Sequence, residues 1–208
     1  MKLTIRASLF LLAACAAPES ASPGPAAPRA LELFNGRDLS GWRQIGDARW
    51  EVENGELVGS IGGGSQSFLA TEAEFSDFML ELELKNELPG NSGLQVRSHQ
   101  NDKGKVFGYQ IEIDPSERAW SGGLYDEGRR GWLFDLKDAP EARAAFRNGD
   151  WNHYRIELRG NRIRTWVNGV PTVDTTDEAD ASGFIALQVH SGNNTRMRFR
   201  NLRLTKFE

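Results

Sequence analysis

The sequence predicts an all-β domain, an antiparallel β-sandwich in which one sheet is concave and bears a groove on its outer face. Three observations carry that expectation. Apolar and polar residues alternate with period two in one short stretch after another, the spacing that sends one row of side chains inward and the next outward. Turn-forming residues punctuate these stretches, with 22 glycines among 208 residues. Helix-type periodicity is confined to a single short segment. With 39% hydrophobic residues and a mean hydropathy of -0.51, the chain has enough apolar surface for one packed domain.

The first segment stands apart from that pattern. "MKLTIRASLFLLAACAAPES" has Lys2 and Arg6, then an apolar run, then small residues before Cys15. That is the build of a secretory leader, predicted over 1–14, and it is too short to span a bilayer. Its "LAAC" ending resembles the bacterial lipoprotein signal, which would make Cys15 the lipidated residue and lipid the chain's one link to a membrane. Residues 15–30, rich in Pro, Ala and Ser, read as a flexible tether. Ala16 and Ala17 after the Cys, with no Asp, favour the outer membrane by resemblance to other such lipoproteins. The folded domain is expected from 31 to 208, facing the periplasm or the cell surface.

The elements follow in order. "WEVENGELVGS" (50–60) holds Asn54-Gly55 between apolar runs, a hairpin signal because both residues accept positive φ. "DFMLELELK" (77–85) puts Phe78, Leu80, Leu82 and Leu84 on one face. "SGLQVRSHQ" (92–100) and "GYQIEID" (108–114) alternate in the same way. "NHYRIELRGNRIRTWVNGVPTVDTT" (152–176) offers three strands joined at Gly160-Asn161 and Asn168-Gly169. "GFIALQVHS" (183–191) is another strand, and 195–207 closes the chain. In that last strand Met197 and Phe199 share a parity that Leu202 and Leu204 break, which predicts a bulge near Arg200-Asn201. "APEARAAF" (139–146) is the one helical stretch.

Composition excludes several functions. The net charge is -4, without a basic stripe, so nucleic acid is not an expected partner. "GGGSQS" (62–67) lacks the lysine and the following helix of a phosphate loop and reads as a mobile loop. The three histidines lack zincin spacing. A divalent metal is not demanded by any spacing, although Glu112, Asp114 and His190 are oxygen and nitrogen donors.

Three strands supply polar rows that could share a face: Asn91, Gln95 and Arg97; then Gln110, Glu112 and Asp114; then Gln188 and His190. If they converge, a carboxylate, a guanidinium, amides and an imidazole meet in one groove suited to sugar hydroxyls and proton transfer. The bland alternative is a solvated cross-strand pair of Glu112 with Arg97. The following stretch, "SERAWSGGLYDEGRRGWLFD" (116–135), carries Trp120, Tyr125 and Trp132 in what reads as a Gly-rich loop. These rings suit a rim that stacks on sugar faces, or else a plug for the sandwich end.

"LFNGRDLSGW", "WEVENGEL", "GNSGLQVR", "GYQIEID", "GLY", "WNHYRIELRGNRIRTWVNG" and "IALQVHSG…RFRNLRL" occur in the order found in a bacterial family. On these motifs, across 31–208, the chain resembles the 3-keto-disaccharide hydrolase family. The resemblance implies a concanavalin A-like jelly roll and cleavage of 3-keto-glycosides made by a separate glycoside 3-oxidoreductase. It further implies C2 proton abstraction and elimination at C1, with Glu112 or His190 as base and Arg97 with Gln110 stabilising the oxyanion or binding hydroxyls. Tyr109 has core parity, but the resemblance keeps it near the site. The charged stretch "DEGRRGWLFD" departs from the longer, less charged loops of the family. Two alternatives stand beside the keto-glycoside enzyme: a surface lipoprotein that binds glycans without chemistry, and a retaining glycosidase using Glu112 and Asp114.

Overall fold

The computed structural model describes residues 30–192 and 194–207. The leader at 1–14, Cys15 and the tether up to Arg29 lie outside the described residues. Fifteen strands and one helical turn are formed among those described. They begin with β1 (Leu31–Glu32), β2 (Trp42–Ile45), β3 (Arg49–Glu53), β4 (Glu56–Ser60) and β5 (Ser67–Phe75). The middle of the chain forms β6 (Phe78–Pro89), β7 (Ser92–Gln100), β8 (Val106–Ile113), β9 (Leu124–Glu127), β10 (Gly131–Phe134) and α1 (Pro140–Ala144). The last strands are β11 (Asn152–Arg159), β12 (Arg162–Val167), β13 (Val170–Thr176), β14 (Gly183–Val189) and β15 (Thr195–Lys206).

All pairings are antiparallel, and they build two sheets. An eight-stranded sheet runs β13-β12-β11-β6-β15-β4-β3, with β1 added on β15. A seven-stranded sheet runs β10-β9-β8-β7-β14-β5-β2. Their facing sides bury Leu80, Leu82 and Leu84 of β6, Ile156 and Leu158 of β11, Ile111 and Ile113 of β8, and Leu187 and Val189 of β14. Complete burial of such side chains contributes about 1.5–3 kcal/mol each, which is what fixes the register of every strand that bears them.

The turns agree with their residues. Asn54 (φ 53°) and Gly55 (φ 79°) make the β3–β4 hairpin, and Asn168 (φ 50°) and Gly169 (φ 82°) the β12–β13 hairpin. In β15 the register shifts between Arg200 and Arg203, with Asn201 at φ 55°. That bulge sends Phe199, Leu202 and Leu204 all into the core. The outer face of the eight-stranded sheet is a ladder of ion pairs. Arg196, Arg198 and Arg200 meet Glu53, Glu56, Glu83 and Glu87. The stretch 116–135, expected as an irregular loop, instead folds in part into the β9–β10 hairpin. Its strands are four residues each and flanked by glycine, too short for alternation to declare them.

Candidate active site

On the outer face of the seven-stranded sheet lies a cleft of about 420 Å³, lined by Gln66, Asn91, Gln110, Glu112, Arg118, Tyr125, Glu127, Trp132 and His190. β7 and β8 supply its floor. Gln95 stands opposite Gln110 and Gly93 opposite Glu112. A Cβ at Gly93 would lie 2.5 Å from Cδ of Gln110, so glycine is what lets that amide lie across β7 toward its partners.

Glu112 is 4% exposed. Its carboxylate accepts hydrogen bonds from Asn91 Nδ2 (2.7 Å), Gln110 Nε2 (2.9 Å) and Arg118 Nη2 (3.1 Å). Withdrawal from water pushes its pKa above the ordinary value of 4.5; the donors from Asn91 and Gln110 and the Arg118 charge oppose that shift without cancelling it. The Gln110 amide cannot turn over freely, because its Oε1 accepts from Gln95 Nε2 (2.7 Å) and Gln188 Nε2 (2.9 Å). All three glutamines are buried, so they form a polar layer beneath the cleft that aims an N–H at Glu112. Gln95 and Gln188, expected to bind substrate, lie in this layer and outside the cleft lining.

Asp114 takes a different part from Glu112. It accepts from the Ser116 amide and hydroxyl (3.1 and 2.6 Å), the Trp120 amide (3.2 Å) and Arg118 Nε (2.7 Å), bonds that together hold its pKa below the usual carboxylate range despite burial. It clamps the 116–120 turn and does not line the cleft, which leaves it no open face for substrate. Arg118 therefore bridges both carboxylates, with its guanidinium over the rings of Trp120 (4.9 Å) and Trp132 (5.0 Å). Trp132 in turn packs edge-on to Trp120 at 4.8 Å and to Tyr125 at 5.2 Å. The expected aromatic rim is formed, with Tyr125 and Trp132 on the cleft and Trp120 behind them. Arg118→Lys is expected to lower kcat/KM at least about tenfold and to loosen the rim. A lysine can neither bridge two carboxylates in that fork nor stack between two indoles. Quenching of the Trp120–Trp132 fluorescence, set beside the kinetics, checks this.

The charges of the "DEGRRG" turn serve the hairpin. Arg129 and Arg130 both engage buried Asp126, and they reach across to Asp180 and Asp177. Of that turn, Glu127 alone lines the cleft. His190, just past the end of β14, is half-buried and lines the cleft. Its Nδ1 lies 3.0 Å from the Ser191 carbonyl; since a carbonyl only accepts, that contact makes Nδ1 an N–H donor.

Two further expectations are corrected. Arg97 is 1% exposed and away from the cleft. The β7–β8 register shifts between Val96 and His99, and Arg97 itself sits at φ 45°, so period two fails from that point on. Its guanidinium donates to the carbonyls of Ser76 (2.6 Å) and Gly160 (2.8 Å) and pairs with Asp77 (2.8 Å). The cross-strand pair of Glu112 with Arg97 is thus replaced by Glu112 with Arg118. Tyr109 is fully buried in the core, where its hydroxyl donates to Asp177 and accepts from the Ala179 amide (3.1 Å). Burial and that carboxylate push its pKa up to about 12. Gln66, Arg118 and Glu127 were missed by the sequence reading. Arg118 had a signal in its place four residues after Asp114 and beside Trp120; Gln66 lay in a stretch dismissed as a mobile loop. Among the described residues, no group of three or more His, Cys, Asp or Glu is placed to hold a metal ion.

Fold and cleft together define a two-sheet sandwich with a polar, aromatic-rimmed groove on one sheet. Solved structures of the same architecture include a putative glycosyl hydrolase from Parabacteroides distasonis (19% identity, 86% of this chain and 94% of that one, TM-score 0.64). A carbohydrate-binding module from Bacillus subtilis matches at 16% identity over 82% of this chain and 98% of that one, TM-score 0.61. A Bacillus subtilis protein of galectin-like fold matches at 12% identity over 81% and 90%, TM-score 0.64. Within that class the chain belongs to the 3-keto-alpha-glucoside-1,2-lyase-like domain family, whose model matches residues 29–205. No protein of curated function matches it.

Proposed function

We propose that the cleft cleaves 3-keto-glycosides by elimination, with Glu112 as the base. The observation that carries this is a buried carboxylate, raised in pKa, at the floor of a polar cleft. A ketone at C3 acidifies the C2–H bond. Glu112 takes that proton, and the C2–H electron pair becomes the C2=C3 bond of an enolate whose charge sits on the C3 oxygen. Arg118, the arginine of the cleft lining, stabilises that oxygen, the part the family resemblance implies for Arg97 with Gln110. The enolate then re-forms the ketone as the C1–O bond breaks, leaving C1=C2 in the ring. The departing oxygen takes a proton from protonated His190, which lines the same cleft. Water can add to the ring alkene afterwards.

Incubation with a chemically oxidised 3-keto-disaccharide tests the proposal. A conjugated enone absorbance and deuterium at C2 in recovered substrate support it; an unchanged disaccharide overturns it. A second reading, glycan binding without chemistry, is favoured by one observation: Arg118 already pairs with Glu112. Against a retaining glycosidase built on Glu112 and Asp114 stands the complete engagement of Asp114 by its own turn.

The pKa of Glu112 sets the expected pH dependence. A base works when ionised, so kcat/KM falls as pH drops through the pKa of Glu112, and burial places that limb above 4.5. The sign for stability is opposite: a carboxyl raised on folding favours the folded state when protonated, and that contribution is lost as pH rises through the folded pKa. Rate and unfolding profiles in one buffer series check both directions. By its leader and Cys15, we further propose an outer-membrane lipoprotein facing the periplasm or cell surface, fed by a separate glycoside 3-oxidoreductase.

A further inference from the structure

We infer that the cleft continues into an apolar subsite for the leaving group, so that the preferred substrates are 3-keto-glycosides carrying an alkyl or aryl aglycone. The inference rests on the elimination chemistry for its reaction, but on separate residues for its shape. Beside the cleft is a second cavity of about 310 Å³, lined by Ile45, Gly46, Ser65, Gln66, Phe68, Gly104, Lys105 and Val106. Apart from Gln66, Ser65 and the end of Lys105, the side chains of that lining are carbon, and Gly46 and Gly104 present backbone.

The two cavities meet at one residue and approach each other at a second point. Gln66 lines each of them. Glu127 of the cleft also precedes Gly128, where an added Cβ would stand 3.1 Å from Cε of Lys105, a residue of the second cavity. The sheet beneath is continuous as well. Glu112 is opposite Gly93, Gln188 opposite Phe68, and Phe68 opposite Ile45, while Leu94 opposite Leu187 sets Gly93 next to Gln188. That row crosses five strands, about 19 Å at four strand spacings.

Along the row the chemistry changes once. Its β8 and β7 end carries the carboxylate and amides already described. At its β5 and β2 end, Phe68 and Ile45 join a small apolar cluster with Ala70 of β5, Phe184 and Ala186 of β14, and Val106 from the start of β8. This cluster is distinct from the core between the sheets, because its residues share the outer face with the cleft. An oxidised sugar, dense in oxygen, matches the donors of the polar half. A second sugar in the other half would surrender water from its hydroxyls and find few partners, at a cost that an apolar aglycone does not bear. Placing the scissile oxygen between the halves sets C1 and C2 over Glu112 and the aglycone over Phe68.

The test compares methyl and octyl 3-keto-α-glucosides, whose leaving alcohols are of similar acidity, so that binding and not leaving-group strength separates them. The extended octyl chain is long enough to span the three strand spacings from Glu112 to Phe68. The octyl substrate is expected to show a kcat/KM at least about tenfold higher. Ile45→Asn, at the half-buried far end of the row, is expected to bring that ratio toward one. Equal kcat/KM for the two substrates in the unmodified protein overturns the inference, with no variant needed. If neither substrate turns over, the elimination reading falls. Calorimetric binding of the same two glycosides then decides the subsite: tighter binding of the octyl compound supports it, and equal binding overturns it.

Discussion

Glu112→Gln is expected to abolish most turnover of a 3-keto-glycoside, by about 10²- to 10⁴-fold in kcat, the range that general-base catalysis contributes. The amide keeps the shape of the carboxylate and loses its basicity, so KM should move far less than kcat. The substitution also disturbs the site in a particular way. Glu112 is surrounded by donors from Asn91, Gln110 and Arg118. A glutamine must turn its own NH₂ toward one of them. Gln110 cannot answer by flipping, because Gln95 and Gln188 hold its carbonyl. One donor therefore faces another, at about 1–3 kcal/mol for a buried polar group left unmatched. Relief from burying a charge offsets part of this, and the variant should fold. Steady-state kinetics with a thermal melt separates the outcomes. Full activity in a folded Glu112→Gln protein would remove Glu112 from the chemistry.

The second large effect is one of stability. Arg97→Leu is expected to destabilise the domain by about 3–5 kcal/mol, because several carbonyls lose a charged donor at about 1–3 kcal/mol each. With about 5–15 kcal/mol typical of a whole domain, that is a large share. Arg97 ties Ser76 and Asp77, in the β5–β6 turn, to Gly160, in the β11–β12 turn, and to the Asp180 carbonyl at 3.3 Å. One side chain thereby holds both sheets together at that end of the sandwich. Leucine would leave those carbonyls without their donor and return Asp77, which is partly exposed, to water. Denaturant titration measures the loss. The folded fraction should keep its kcat within about twofold, because Arg97 touches nothing in the cleft. A kcat lowered a hundredfold with unchanged stability would restore Arg97 to the oxyanion role.

The contrast between these two arginine-linked outcomes marks how far the sequence could be read. Gln110, Glu112 and Asp114 were legible as one outward row because β8 is regular there, and period two holds wherever the ladder is unbroken. Asn91 and His190 were legible for the same reason, each standing next to a regular strand. Arg97 was misplaced because a bulge carries no reliable mark in side-chain type. The β9–β10 hairpin went unseen because four residues are too few to show alternation, although its Tyr125 and Trp132 stand on the cleft where a rim was expected. Asp114 was the instructive half-success: right face, right neighbourhood, yet consumed by its own turn.

By itself, the sequence determined the sandwich, most of its strand faces, the bulge in β15 and the polar row that floors the cleft. These follow from local periodicity and turn chemistry, which each residue expresses within a few positions of itself. Only the tertiary structure decided which cation meets Glu112, that Gln95 and Gln188 support the site from below, and that an apolar pocket adjoins it. Those depend on contacts between residues far apart in the chain, such as Gln188 with Gln110 or Lys105 with Gly128. A side chain's local pattern says which way it leaves the strand, whereas the partner waiting there is set by how distant strands are paired.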